Sequence, residues 1–400
     1  MRRESWSWAG LALMVGLASS PALAQDAESE PLVEVHGFVS QGAIKTTKNN
    51  YLTANSKRGS FEFTEVGLNV SKQLTEKLRV GLQLFAYELG PLGNYEPRFD
   101  WYYLDYRFRD FLGLRAGRTK IPFGLYNDSA DIDAARVPVL LPQSVYPVNN
   151  RDYLLAQTGG ELYGNVKVGA GGALEYRAYG GTLDLKAPQA STGITIEDID
   201  VPYVFGGRLM WLTPLEGLSV GASYQALRFD WTYNIDPAVV ALLQMQGVLP
   251  ADFMGKLPVE LRVKLWVASA EYQAGDLLVA AEYSRWIANL KSKVPTLLPE
   301  DTTNERYYVM ASYRVTPWLT PGAYYSGFYA NVDERHGRAA YQHDVAGTLR
   351  FDVNQNWLVK LEGHWMHGTA ALDPNLNDDK PLNQLAMNWA AFLLKTSAYF

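Results

Sequence analysis

The 400-residue chain has no cysteine, no run of eighteen or more apolar residues, only five histidines and no cationic excess, with 36 Lys and Arg against 42 Asp and Glu. Each absence excludes something. Without cysteine there is no disulfide scaffold and no residue to carry a bacterial lipoprotein anchor near a cleavage site. Without a long apolar run, no helix crosses a bilayer. A formal net charge of −6 leaves nothing to displace counterions from phosphates, so nucleic acid is not an expected partner. What the chain has instead is 25 Tyr, 15 Phe and 11 Trp beside 34 Gly, a composition of many strands joined by turns.

The first residues read as a secretory signal. Arg2 and Arg3 open the chain, Ala9 to Ala18 form a short apolar stretch, and Ala22-Leu23-Ala24 supplies small residues at cleavage spacing. Residues 1–24 are therefore predicted to be removed, leaving a mature chain from Gln25 to Phe400 outside the cytoplasm. Removing Arg2, Arg3 and Glu4 leaves 34 basic against 41 acidic residues.

After residue 30, period-two alternation recurs almost everywhere. Val80, Leu82, Leu84 and Ala86 alternate with Arg79, Gly81, Gln83 and Phe85; Tyr102, Leu104, Tyr106 and Phe108 alternate with Tyr103, Asp105 and Arg107. The pattern predicts sixteen strands, near 32–46, 61–74, 78–89, 98–108, 112–120, 159–167, 172–185, 204–212, 218–232, 259–273, 277–290, 304–314, 319–331, 340–353, 358–369 and 384–400. In the tenth, the apolar register changes between Leu265 and Trp266, which suggests a bulge.

The connections alternate in length. Short turns fall at 75–77, 109–111, 168–171, 213–217, 274–276, 315–318 and 354–357; long loops fall at 47–60, 90–97, 121–158, 186–203, 233–258, 291–303, 332–339 and 370–383. A soluble sandwich has no reason to keep every second turn short, whereas a barrel with tight turns on one side of a membrane does. The predicted fold is an all-β, 16-stranded antiparallel transmembrane β-barrel, lipid on its apolar face and water inside. Trp101, Trp211, Trp231, Trp266, Trp286 and Trp365 are expected in aromatic girdles near strand ends. The terminal strand ending on Phe400 resembles the carboxy-terminal insertion signal of Gram-negative outer-membrane proteins, so the expected location is the bacterial outer membrane.

One connection, 121–158 after the fifth strand, is much the longest. Its neighbourhood, Gly117-Arg-Thr-Lys-Ile-Pro-Phe-Gly-Leu-Tyr-Asn127 and Leu141-Pro-Gln-Ser-Val-Tyr-Pro147, resembles stretches of the Gram-negative outer-membrane porin superfamily, the general and phosphate-selective O/P-like porins. That resemblance implies a loop folded inward to constrict the pore, passive diffusion of small hydrophilic solutes and ions, a setting of outer-membrane lipid and lipopolysaccharide, and a homotrimer latched through residues 90–97. The loop offers Asp128, Asp131, Asp133 and Arg136, followed by an apolar Val137-Pro-Val-Leu-Leu-Pro142 that would be costly in water and is expected to pack on the wall.

Counting inward positions on strands three to five gives Arg79, Asp105, Arg107 and Arg115, an arginine row expected to face the loop carboxylates across the constriction. Each of these arginines has the alternative of a local ion pair that stiffens the wall. Further inward cations are expected at Arg177, Arg208, Arg262, Lys264, Arg306, Arg350, Lys360 and Lys395, against Glu65, Glu175, Asp344, Asp352 and Glu362. The acids concentrate in loops, at Glu197, Asp198 and Asp200, at Glu300 and Asp301, and at Asp373, Asp378 and Asp379. The lumen therefore leans basic, and a weak anion preference is expected.

Enzyme and cofactor signals are weak. His364 and His367, three apart on a strand, fall on opposite faces. Asp373-x-Asn375-x-Asn377 starts like a calcium loop but has Asp378 where glycine is needed. Gly169-Ala-Gly-Gly172 lacks the helix a dinucleotide site needs, and there is no Gly-x-Ser-x-Gly elbow. No cofactor or metal is expected. Two alternatives stand beside the diffusion pore: a channel specific for phosphate or an aromatic or organic acid, with Trp101, Tyr103 and Tyr308 beside arginines, and a barrel enzyme.

Overall fold

The computed structural model describes residues 33–185, 194–292 and 301–400. The proposed signal segment and Glu300 lie outside the described residues, and so does part of each of the connections 186–203 and 291–303.

Among the described residues, sixteen strands pair antiparallel with their sequence neighbours, and the first pairs with the last to close a barrel. They are β1 (Glu34–Thr46), β2 (Phe63–Thr75), β3 (Leu78–Leu89), β4 (Arg98–Arg109), β5 (Leu112–Lys120), β6 (Ala156–Lys167), β7 (Ala173–Thr182), β8 (Ile194–Leu212), β9 (Leu218–Ile235), β10 (Lys256–Ala274), β11 (Leu277–Ser292), β12 (Thr302–Tyr313), β13 (Leu319–Tyr329), β14 (Tyr341–Asn354), β15 (Trp357–Gly368) and β16 (Asn388–Tyr399). Closure leaves no unpaired edge, the condition for a sheet to stand in lipid. Among the described residues no helix is long and apolar enough to cross a membrane. At ~3.3 Å per residue and a tilt near 45°, a strand of the length of β3 spans roughly 28 Å, about the apolar thickness of a bilayer.

The outer wall carries the apolar half of the alternation: Val66, Leu68, Leu104, Leu162, Leu209, Val309, Val345, Leu361 and Leu394 are exposed. Phe108, Phe111, Trp211, Tyr313, Trp318 and Trp357 form an exposed aromatic girdle at the short-turn end. Trp266 and Trp365 also face outward, but Trp101, Trp231 and Trp286 point into the barrel, which corrects half of the expected girdle. The Trp101 indole donates to Gln83, and Trp286 is buried against Phe123 of the long loop.

Strand closure ends on the last residue. Phe400 N–H donates to the Gly37 carbonyl at 3.0 Å and Gly37 N–H to the Phe400 carbonyl at 3.1 Å. Deleting Phe400 removes both bonds, and is expected to lower the yield of folded barrel, read as the heat-modifiable band on electrophoresis.

Two regions differ from the sequence expectation. β8 begins at Ile194, so most of the expected loop 186–203 continues the sheet, and the expected loop 233–258 contains a helix, Pro237–Met245, capped by Asp236. β8 to β11 are the longest strands, at 19, 18, 19 and 16 residues, and extend on the long-loop side.

The second difference is β10, which pairs with both neighbours in one continuous register, without the expected bulge. Its odd residues Leu257, Val259, Leu265 and Val267 face inward and are buried, so Arg262 and Lys264 face outward and leave the lumen tally. Arg262 pairs with Glu260 at 2.8 Å, beside Arg228 and Asp230, on the outer surface. The apolar register changes at 265–266 because the inner face of this wall is dry. It packs on a loop, while Trp266, Ala268, Ala270 and Tyr272 form the outward face below.

Candidate functional site

The loop between β5 and β6, residues 121–155, enters the barrel. Its neck is closed by Ile121 N–H donating to the Leu155 carbonyl at 2.9 Å. Ile121, Phe123, Leu141, Val145 and Leu154 form one buried cluster with inward Leu227, Leu265, Val267, Trp286, Tyr308 and Tyr324. Val139 and Leu140 join a second cluster with Ile44, Phe63, Phe85, Met366 and Trp389 on the other wall. The apolar run Val137 to Pro142 thus leaves water by packing on the inner wall, each buried side chain contributing about 1.5–3 kcal/mol.

Two wall carboxylates hold loop backbone. Glu282 of β11 accepts from Leu125 N–H at 2.9 Å, Ser269 at 2.5 Å, Tyr308 at 2.8 Å and Tyr146. Glu362 of β15 accepts from Val139 N–H at 2.8 Å, Leu140 N–H at 2.9 Å and Thr348 at 2.5 Å. Gly124 makes the first anchor possible: its φ is +59°, and a Cβ there would lie 2.3 Å from the Tyr146 hydroxyl and 2.7 Å from Glu282 Oε1. Arginines grip loop carbonyls in turn. Arg306 donates to Ser144 O at 2.7 Å with its guanidinium between the rings of Trp286 and Phe328, at 3.7 and 4.4 Å. Arg350 donates to Ala134 O at 2.7 Å and Arg136 O at 3.1 Å.

The loop carboxylates meet cations, though not the arginine row expected from the sequence. Asp128 accepts from Arg177 at 2.7 and 2.8 Å and lies 3.1 Å from Arg208. Asp131 pairs with Lys120 and accepts from Gln83 at 2.8 Å. Asp133 accepts from Lys360 at 2.9 Å and Ser397 at 2.6 Å, and lies 3.4 Å from Lys395 and 3.6 Å from Arg136. Burial alone would raise these three loop carboxyls, but the facing cations outweigh it and hold each below its ordinary value.

Arg79, Asp105, Arg107 and Arg115 stand on inward positions but in other roles. Arg79 lies near the short-turn end, 2.7 Å from Glu34. Arg115 bridges Asp105 at 2.9 Å and Glu161 at 3.2 Å and lies over the Tyr163 ring at 4.3 Å. Among the described residues the exposed Arg107 side chain forms no hydrogen bond or ion pair. A ribbon of alternating sign thus runs from Asp105 through Arg115, Glu161, Arg177 and Asp128 to Arg208. This is the wall-stiffening alternative, chosen because charges taken out of water must be paired.

Sequence counting missed Lys120, Glu161 and Glu282, and the pair of Asp100 with Arg151, which donates at 2.9 and 2.5 Å. One signal was available for Glu282: it is the lone carboxylate at an inward position between Ala280 and Ser284. His364 faces inward, with its ring nitrogens 3.1 Å from Asp344 and from Glu362, and His367 faces outward toward Asn388. In the loop 370–383, Asp373 caps Asn375 N–H and Asn377 bonds Asn50, two structural roles for the residues that resembled a calcium loop.

These features define a closed sixteen-stranded antiparallel β-barrel with an apolar outer wall and a long loop folded into its interior. No protein-family profile and no curated protein matches the chain. Among solved structures it is similar to the outer-membrane expressed OmpT of Vibrio cholerae, at TM-score 0.59 and 11% identity over 92% of this chain and 97% of that one. The anion-selective porin from Comamonas acidovorans follows at TM-score 0.56 and 12% identity over 92% and 99%. The outer membrane channel DcaP of Acinetobacter baumannii gives TM-score 0.53 and 13% identity over 92% and 97%.

Proposed function

We propose that this barrel is a non-catalytic porin through which small hydrophilic solutes and ions diffuse passively, with a weak preference for anions. The observation that carries the reading is the loop 121–155 folded into a closed barrel beside a wall of paired charges, the arrangement expected of a constricted aqueous pore. At the level of the loop the balance is nearly even. Five carboxylates, Asp128, Asp131, Asp133, Glu65 and Glu161, meet six cations, Lys120, Arg136, Arg177, Arg208, Lys360 and Lys395. With Glu282, Glu362, Arg306 and Arg350 also gripping the loop, the charges around it stay close to balance, which supports a weak rather than a strong preference. The named Comamonas porin is anion-selective, which agrees with this sign. A homotrimer set in lipopolysaccharide belongs to the same proposal, and light scattering of the folded protein in detergent reads the oligomer.

In a planar bilayer under a KCl gradient, the reversal potential is expected to be small and of anionic sign, with graded uptake of neutral sugars in liposome swelling. A strong cation preference overturns the sign, and uptake without size grading overturns the diffusion pore. Lipid and peptide hydrolysis assays on the folded barrel are expected to be blank; turnover there would favour the enzyme alternative.

A further inference from the structure

A cavity of about 80 Å³ lies between the loop and the wall formed by β2 and β3. Phe63, Phe85, Leu140, Leu154 and Leu155 give it apolar walls, and four charged side chains reach it: Glu65, Asp131, Arg136 and Arg151. Three of the four are satisfied. Glu65 accepts from Lys395 at 2.6 Å, Asp131 has Lys120 and Gln83, and Arg151 is held bidentate by Asp100 while lying over the Phe85 ring at 4.6 Å. Arg136 is the exception. Its side chain is 10% exposed, and among the described residues its buried Nε has no hydrogen-bond partner and its one carboxylate neighbour, Asp133, stands at 3.6 Å. That carboxylate already serves Lys360 and Ser397 and is near Lys395.

Arg136 lines the cavity, and among the described residues its guanidinium donates no hydrogen bond, so a charged donor without an acceptor stands on a largely apolar cavity, an arrangement complementary to an anion with an apolar body. We propose that this cavity is a binding site in the lumen for a small aliphatic monocarboxylate, its carboxylate on Arg136 and its tail against Phe63, Phe85 and the loop leucines. The proposal rests on the channel reading, since solute reaches the cavity through the lumen. Size selects the tail: the cavity is about half the ~150 Å³ that accommodates a benzene ring, so a chain of a few carbons fits and an aromatic acid does not. A single available guanidinium, among groups otherwise paired, selects a monoanion over a phosphate or a dicarboxylate.

The experiment is titration calorimetry of the full-length folded barrel in detergent with sodium butyrate, with butyramide and sodium chloride as comparisons, alongside KCl conductance in a bilayer. Expected is one-site binding of butyrate, with butyramide and chloride at least about ten-fold weaker, as for loss of one charged hydrogen bond or of the tail. Arg136→Gln is expected to weaken butyrate by the same factor. Ala130→Leu, which fills the cavity and leaves Arg136 in place, is expected to abolish binding while wild-type circular dichroism reports an intact barrel. Butyrate binding that is absent, equal to butyramide, or unchanged in Ala130→Leu overturns the site, and KCl conductance of the wild type then still supports the channel. A folded barrel that binds butyrate but conducts nothing overturns the channel reading and leaves the site standing.

Discussion

Replacing Glu282 and Glu362 together by alanine is expected to free the loop from both walls, raise single-channel conductance severalfold and admit larger sugars in liposome swelling. Glu362 alone satisfies Val139 N–H, Leu140 N–H and the Thr348 hydroxyl, all buried. Truncating it leaves those donors unpaired beside the His364 ring, at a cost of about 3–5 kcal/mol, and the Glu282 anchor is of similar size. Apolar packing of Ile121, Phe123, Leu141, Val145 and Leu154 contributes on the order of 10 kcal/mol on the same side. The two carboxylates fix the loop backbone at separate points, Glu282 through Leu125 and Glu362 through Val139 and Leu140, so removing both takes away its buried polar anchors at once. Glu362→Gln keeps one acceptor oxygen and is expected to have a smaller effect. Unchanged conductance in a folded double variant would mean that apolar packing holds the loop unaided.

Asp133→Ala is expected to destabilise the docked loop by about 3–5 kcal/mol, because it strands a buried cation. Lys395 keeps Glu65 at 2.6 Å, but Lys360 keeps only the carbonyls of residue 133 at 2.7 Å and Pro138 at 3.3 Å. Thermal unfolding in detergent reads the loss, and the reversal potential is expected to shift toward anions because one negative charge leaves the narrow section. Adding Lys360→Met is expected to restore most of the stability, since an apolar pair replaces a broken ionic one. A strictly additive double variant would show that the two groups do not act on each other.

The same carboxyl sets an acid limit. Asp133 is held well below its ordinary value of 3.8, by Lys395, Lys360 and Arg136 working against burial. A carboxyl depressed in the folded state contributes stability that is complete above its unfolded value and is lost only as pH falls through its folded one. Conductance is thus expected to stay constant from pH 7 to about pH 4, with loop opening confined to stronger acid. In Asp133→Asn that acid step is expected to weaken; an identical acid profile would place the sensitive group elsewhere.

Strand number and boundaries were largely legible because a barrel wall reads as local alternation: β3 and β5 run over 78–89 and 112–120, as the pattern predicts. The loop's carboxylates were legible as groups in need of cations, but their partners were not. Asp133 is 227 residues from Lys360 and 264 from Ser397, and no local period links them. β10 shows why the inside and outside of one strand were confused. Alternation states that two faces differ, and the rule that the apolar one meets lipid holds only where water fills the lumen. Leu265 and Val267 meet Phe123, Val145 and the rest of the buried loop cluster, so the inner face of that wall is as dry as the outer one.

The sequence by itself determined a sixteen-stranded antiparallel barrel with alternating short and long connections, because backbone pairing between neighbouring strands and side-chain alternation are both local properties. Only the tertiary structure decided which charges are spent holding the loop and which, like Arg136, remain available. Burial inside the closed wall makes an unpaired charge expensive, and which cation lies within 3 Å of which carboxylate depends on where the loop crosses the lumen.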